Sequence, residues 1–251
     1  MMPRDHMTSL IQIIARQALA TFRSPAAVGE GSKSFLENHG KLRGLLAEVT
    51  AADLNIAPRA AGGAPAAHSP PVTYMHICET EAFSMGVFLL KGGTSIPLHD
   101  HPGMHGMLRV IYGTVRISCF DRADKPPDGA SEAALGPPPP PAPLPYQRGA
   151  LRRCVLRSAG EFTVESGPCM LSPHRDNLHQ IDAVDGPTAF LDILAPPYDP
   201  DDGRDCHYYR LLQAGPELQQ QQHQEVWLME IPQPSEFWCG SEPYPGPQVS
   251  V

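Results

Sequence analysis

The 251-residue chain is short of positive charge. Lysine and arginine number 19 against 27 aspartates and glutamates, a formal net charge of −8, so no basic field is available to hold a phosphate backbone or an anionic membrane surface. Neither nucleic acid nor membrane is an expected partner. Long apolar runs are missing too, since stretches such as Met85 to Leu90 fall far short of the ~18 residues that cross a bilayer. The six cysteines, Cys78, Cys119, Cys154, Cys169, Cys206 and Cys239, include no closely spaced pair. With no secretory apolar core at the N-terminus, this argues against a disulfide framework and makes a reducing cytoplasmic compartment the expectation. A mitochondrial location is the alternative, because residues 1–26 set Arg4, Arg16 and Arg23 against Asp5 alone. Proline is plentiful, at 29 residues beside 22 glycines. Together they make about a fifth of the chain, which is still below a low-complexity composition.

From Thr8 to Phe22, the residues Leu10, Ile13, Ile14, Ala18 and Phe22 fall at helical spacing behind Thr8 or Ser9 as N-cap. A second helix over about 36–49 carries Leu36, Leu42, Leu45 and Leu46. Residues 1–50 therefore read as a helical segment that packs on the larger domain beyond it, and Ala60 to Pro71 as a loop. That domain spans 72–251. Its short β-branched or aromatic runs are Val72–Cys78, Phe83–Lys91, Met107–Tyr112, Thr114–Phe120, Leu151–Arg157, Cys169–Ser172, Thr188–Leu194, His207–Leu212 and Glu225–Ile231. Many short strands between Gly and Pro turns imply a sandwich or barrel. In Thr114–Phe120 the apolar Val115, Ile117 and Cys119 alternate with Thr114, Arg116 and Ser118, so Arg116 belongs to a polar face and Gly113 is placed for a hairpin turn. The proline tract within 121–149 reads as a solvent-exposed polyproline insertion, with a docking motif as the sharper alternative. Gln219 to Gln222 read as a polar surface loop.

Chemistry concentrates in the histidines. His99 and His101 flank Asp100 in the segment Pro97 to Gly103. On an extended strand both imidazoles share a face and Asp100 points the other way, the geometry of a two-histidine chelate. Pro102 and Gly103 oppose a helical pairing of His101 with His105. His179 is the third candidate.

Gly93, His99, His101, Gly106 and Gly113, with Gly167 and Pro173 later in the chain, are spaced like the two motifs of the cupin superfamily. The usual glutamate ligand of the first motif falls on Gly106. The second motif has Arg175 at its usual glycine and one extra residue before His179. Three histidines without a carboxylate, together with the segments Pro97 to Met107, Pro173 to His179, Leu191 to Pro200, Asp205 to Tyr209 and Glu242 to Pro247, resemble the thiol dioxygenases of that superfamily. The resemblance implies an all-β core, the cupin double-stranded β-helix or jelly-roll barrel, with N-terminal helices. It also implies one Fe(II) per chain on His99, His101 and His179, with O2 as co-substrate. The implied reaction turns a thiol into a sulfinate: cysteamine into hypotaurine, or the N-terminal cysteine of peptides and proteins into cysteine sulfinic acid, an oxygen-sensing N-degron signal. Three neutral imidazoles leave the metal its full positive charge, which favours a thiolate ligand, and they leave positions open for substrate and O2.

Four further residues are candidates for the catalytic machinery. Asp192 shares a strand face with Phe190 and Leu194, where a carboxylate needs a partner; that partner is either a substrate ammonium or an internal cation or cap. Tyr198 offers a hydroxyl near the oxygen site or else packs a turn. Cys206 and Tyr208, two residues apart, are in the resembling family a candidate thioether crosslink, and otherwise core residues. His105 and His174 are possible second donors behind the ligands. A monomer is the expected state. The competing functions are a non-catalytic metal-binding cupin regulator and a zinc or manganese cupin isomerase or hydrolase.

Overall fold

The computed structural model describes residues 7–24, 32–62, 68–123, 145–212 and 224–251. Helix α1 (Leu10–Phe22) begins at Ser9, whose hydroxyl accepts the Gln12 N–H at 3.1 Å. Helix α2 (Lys33–Ala47) begins at Ser32, which caps Phe35 in the same way. Each cap satisfies one amide that the first turn leaves without a helical partner. The buried stripes are Ile11, Ile14, Ala15, Ala18 and Phe22 on α1 and Phe35, Leu42 and Leu46 on α2. Ile13 and Leu36, expected on those stripes, are exposed, because the inward arcs are narrower than the sequence spacing suggests. Gln12 and Ser250 exchange hydrogen bonds at 2.8 and 2.9 Å, tying α1 to the C-terminus.

The described residues form ten strands: β1 (Val72–Glu79), β2 (Ser84–Leu90), β3 (Ser95–His99), β4 (His105–Arg122), β5 (Leu151–Phe162), β6 (Cys169–Leu171), β7 (Leu178–Ala195), β8 (Tyr208–Leu211), β9 (Glu225–Ile231) and β10 (Cys239–Ser241). They join in the order β10-β1-β2-β7-β3-β8-β9-β5-β4-β6, and pairing of β4 with β7 closes the six strands from β7 to β4 into a barrel. The expected jelly-roll barrel is present. No helix of the described residues is long and apolar enough to cross a membrane.

The 18-residue strands β4 and β7 pair from His105↔Ala195 to Phe120↔Leu178. Ala189, Leu191, Ile193 and Ala195 pack with Met107, Ile111 and the helices, while Phe190 joins Leu108, Val110, Val115 and Ile117 in the barrel cluster. Both faces of these half-strands are covered, so their sequence reads as continuous apolar runs rather than alternation. The alternation of Val115, Ile117 and Cys119 inward is as expected, and Arg116 pairs with Glu161 at the surface.

The hairpin expected at Gly113 does not form. β4 runs through that position with a shift of register, and Gly113 takes φ +78°. A side chain there would strike the Pro187 and Thr188 backbone of β7, so glycine permits a kink inside one long strand rather than a turn between two. The insertion starts later than expected, because Asp121 and Arg122 still pair with Val155 and Cys154. Its proline tract and Gln219 to Gln222 lie outside the described residues.

Candidate metal centre and thiol cavity

His99 ends β3, in register with His179 of β7 on one side and Tyr208 of β8 on the other. His101 lies two residues on, past the strand. The three buried rings face one another, with centroids 4.7 Å (His99–His101), 4.8 Å (His99–His179) and 4.5 Å (His101–His179) apart. Their potential ligand nitrogens lie within 4.8 Å, and they are the one group of histidine, cysteine or acidic side chains so placed among the described residues.

Second partners fix two of the rings. His99 Nδ1 donates to the Pro97 carbonyl at 2.7 Å, and His101 Nδ1 donates to the Asn177 carbonyl at 2.6 Å, which leaves the Nε2 lone pairs to a metal. Burial pushes all three imidazoles below their ordinary pKa. They are neutral and ready to ligate, so the donor set fits a divalent transition metal. No carboxylate joins them: the space above Gly106 is filled by Leu171, whose Cγ would lie 2.9 Å from an added Cβ.

Asp100 points away, as the strand reading requires. Its carboxylate accepts the His207 N–H at 2.8 Å, His207 Nδ1 at 3.1 Å and the Tyr209 hydroxyl at 3.1 Å. Asp121, buried, accepts the amides of Asp176 and Asn177 at 2.9 and 3.1 Å and the Arg157 Nε at 3.1 Å. Two carboxylates thus brace the two segments that carry His101 and its partner. The partners found behind His99 and His101 are backbone carbonyls rather than His105 or His174. His105 packs on Phe22 and Phe35 of the helices, and His174 is exposed. Their places are taken by the Pro97 and Asn177 carbonyls, which sequence pattern does not single out.

A cavity of about 510 Å³ is lined by Tyr74, His76 and Glu79 of β1, Ser84 and Phe88 of β2, Asp192 and Leu194 of β7, Tyr198, and residues of β10. Asp192 faces it together with Leu194. Burial pushes its carboxyl up to about 7, and no hydrogen bond or ion pair meets it among the described residues. The internal-cation alternative is thereby set aside. Arg109 is spent elsewhere, donating to Val49, Val164 and Ser166 carbonyls, and the described lining contains no lysine or arginine.

Tyr198 links the two regions. It lines the cavity, and its ring centroid lies 5.8 Å from that of His101. Its hydroxyl donates to the Asp100 carbonyl at 2.6 Å, so it holds the ligand loop. The Cys206 sulfur is within hydrogen-bonding reach of the Tyr208 and Tyr198 hydroxyls, and burial pushes its thiol up to about 11. Tyr208, opposite His99, sits with its ring centroid 6.3 Å from that imidazole. Sequence pattern alone did not reveal Tyr74, His76 and Glu79. The available signal was Gly86, a glycine inside an apolar strand, which marks a close approach.

A six-stranded barrel with three inward neutral histidines and no carboxylate beside them is a cupin metal site of the three-histidine kind. The family model PCO_ADO matches residues 45–249. Similar full-length proteins are the 2-aminoethanethiol dioxygenases of Mus musculus, 60% identical, and Homo sapiens, 57% identical, each alignment covering 99% of both chains. Plant cysteine oxidase 1 of Arabidopsis thaliana is 30% identical over 67% of this chain and 53% of its own. The chain belongs to the PCO_ADO family of cupin-type thiol dioxygenases and is an oxidoreductase of that class, with a three-histidine metal site.

Proposed function

We propose that the chain is a non-haem Fe(II) thiol dioxygenase, with one iron on His99, His101 and His179, that adds both atoms of O2 to cysteamine, giving hypotaurine, and to the N-terminal cysteine of peptides and proteins, giving cysteine sulfinic acid. The observation that carries this reading is the three-histidine cluster, joined through Tyr198 to a cavity lined by the Asp192 carboxylate, which meets no hydrogen bond or ion pair among the described residues. Bound iron would supply a centre at which a thiolate and O2 can meet, for the overall change RSH + O2 → RSO2H.

The chain's own groups prepare the substrate. Asp192 takes the ammonium two carbons from the sulfur. Phe88, Phe190 and Leu194 keep water from the aminoethyl stem, with the two aromatic rings stacked at 5.3 Å. Tyr198 holds the loop of His101. The absence of a cation from the described lining leaves nothing that demands a free carboxylate, which supports a peptide chain continuing past the aminoethanethiol unit. The resemblance to plant cysteine oxidases supports the same extension. Through that product the enzyme would report oxygen as a degradation signal. Six free thiols support a reducing compartment, taken as the cytosol. One chain supplies the whole histidine cluster, so a monomer suffices.

The test is anaerobic reconstitution with Fe(II), then mass spectrometry of cysteamine and of an N-terminal cysteine peptide after admission of air. A gain of two oxygens on both thiols is expected. No gain on either, with iron bound, overturns the reading.

A further inference from the structure

Strands β1, β2 and β7 place His76, Gly86 and Asp192 in one cross-strand row, with Tyr74, Phe88 and Phe190 in the row beside it. All six side-chain positions face the same way, because residues two apart on a strand share a face. Gly86 has no side chain, and the gap is occupied. The tip of Tyr74, its Cζ, Cε2 and hydroxyl, lies where a Cβ on Gly86 would stand. The ring is held there by Phe88, at a centroid distance of 4.9 Å, and by His76 Nδ1, 3.2 Å from the hydroxyl. The Tyr74 hydroxyl therefore sits over the residue that directly neighbours Asp192.

We propose that Tyr74 is a second ammonium-binding residue of the thiol cavity, and that Gly86 is glycine so that the Tyr74 hydroxyl can stand beside the Asp192 carboxylate. This assignment rests on the proposed reading of Asp192. An ammonium carries N–H donors in three directions, and one carboxylate satisfies only part of them. A hydroxyl that donates its proton to His76 Nδ1 keeps its oxygen lone pairs for another donor. Burial, and next the Asp192 charge, push the Tyr74 hydroxyl up, so it stays protonated while acting as acceptor. The arrangement selects a primary amine: an acetylated nitrogen is uncharged and has lost the donors that two acceptors would share. The substrate class is thus any thiol with a free ammonium on the adjacent carbon, from cysteamine to an N-terminal cysteine peptide.

The experiment compares wild type, Tyr74→Phe and Gly86→Ala, all loaded with Fe(II). It uses cysteamine as substrate and propane-1-thiol, which has the same shape without the charge, as competitive inhibitor. Tyr74→Phe is expected to raise KM for cysteamine about tenfold, the scale of one hydrogen bond to a charged group, with kcat and the Ki of propane-1-thiol unchanged. Gly86→Ala displaces the ring and is expected to move KM in the same direction. An unchanged KM in Tyr74→Phe, or a KM and Ki that rise together as they would if the residue only shaped the cavity, overturns the assignment. If wild-type enzyme leaves cysteamine unoxidised, the proposed activity itself fails and this assignment fails with it.

Discussion

Asn177 holds His101 by three hydrogen bonds. Its side-chain oxygen accepts the His101 amide at 3.0 Å, its side-chain nitrogen donates to the His101 carbonyl at 2.7 Å, and its own carbonyl takes His101 Nδ1–H at 2.6 Å. The same side-chain nitrogen reaches the Ser172 carbonyl at 3.0 Å, and the Asn177 amide is held by Asp121. A ligand that lies beyond its strand is thus fixed as firmly as one within it.

Asn177→Ala removes the two side-chain bonds to His101 and the one to the Ser172 carbonyl, and keeps its own carbonyl. It should therefore loosen iron by about ten- to a hundredfold, the usual effect of losing a group that orients a ligand, and lower the melting temperature through unsatisfied buried amide and carbonyl groups. Titration of the apoenzyme with Fe(II) under nitrogen measures the first effect. Wild-type affinity in the variant would show that the clamp does not position the metal.

Each of His99→Ala, His101→Ala and His179→Ala should lower iron content and abolish oxygen uptake, since two imidazoles cannot make a facial set. His179→Ala is the most informative. Its ring comes from β7, the strand paired with β3, far along the chain from the other two ligands, and full iron with full activity in that variant would sink the assignment.

Legibility from sequence depended on the number of faces each strand exposes. Thr114–Phe120 was readable because one face is wet; the outer half of β7 read as an apolar run; its inner half, Leu178 to Pro187, was missed because Asp182, Asp185 and Gly186 break the pattern. The motif spacing picked out the three histidines that the fold brings together, and the strand alternation correctly turned Asp100 away. The residues that escaped, Asn177, Tyr74 and His76, act through contacts between segments far apart in the chain, for which a single sequence carries no local period. Gly113 misled because a glycine that permits a kink and one that permits a turn are the same residue.

Cys206 and Tyr208 stand close enough for the sulfur to meet the hydroxyl. Repeated turnover in air should join them through a thioether to the ring, with O2 as the oxidant and a loss of two hydrogens from the single tryptic peptide Asp205 to Arg210 that carries both residues. Cys206→Ser and Tyr208→Phe should each abolish the link and lower turnover without lowering iron content. Intact mass unchanged after many turnovers of iron-loaded enzyme would count against the crosslink.

The pH behaviour of Asp192 has two opposite consequences. Burial lifts its carboxyl to about 7 in the folded chain, against an ordinary value of about 4 when unfolded. The folded state therefore holds the proton more tightly, and its contribution to stability, fully present below about pH 4, is lost as pH rises through about 7. Substrate loading runs the other way. The ammonium of cysteamine stays charged throughout that range and is attracted only by the ionised carboxylate, so KM should fall as pH is raised from about 6 to about 8. The other titratable groups lining the cavity with Asp192 among the described residues are Tyr74, His76 and Glu79 of β1, Tyr198 and the Cys239 thiol of β10, which burial pushes up, while β2 contributes only Ser84 and Phe88. His76→Gln and Glu79→Gln should therefore retain the KM limb, and Asp192→Asn should flatten both it and the decline in melting temperature. Asp192→Asn should also keep its iron while losing most of its turnover, and its residual activity should no longer prefer a free N-terminal cysteine peptide over its acetylated counterpart. A variant that unfolds or loses metal, or one that keeps the same KM limb as wild type, would mean that Asp192 is a structural carboxylate and the ammonium is read elsewhere.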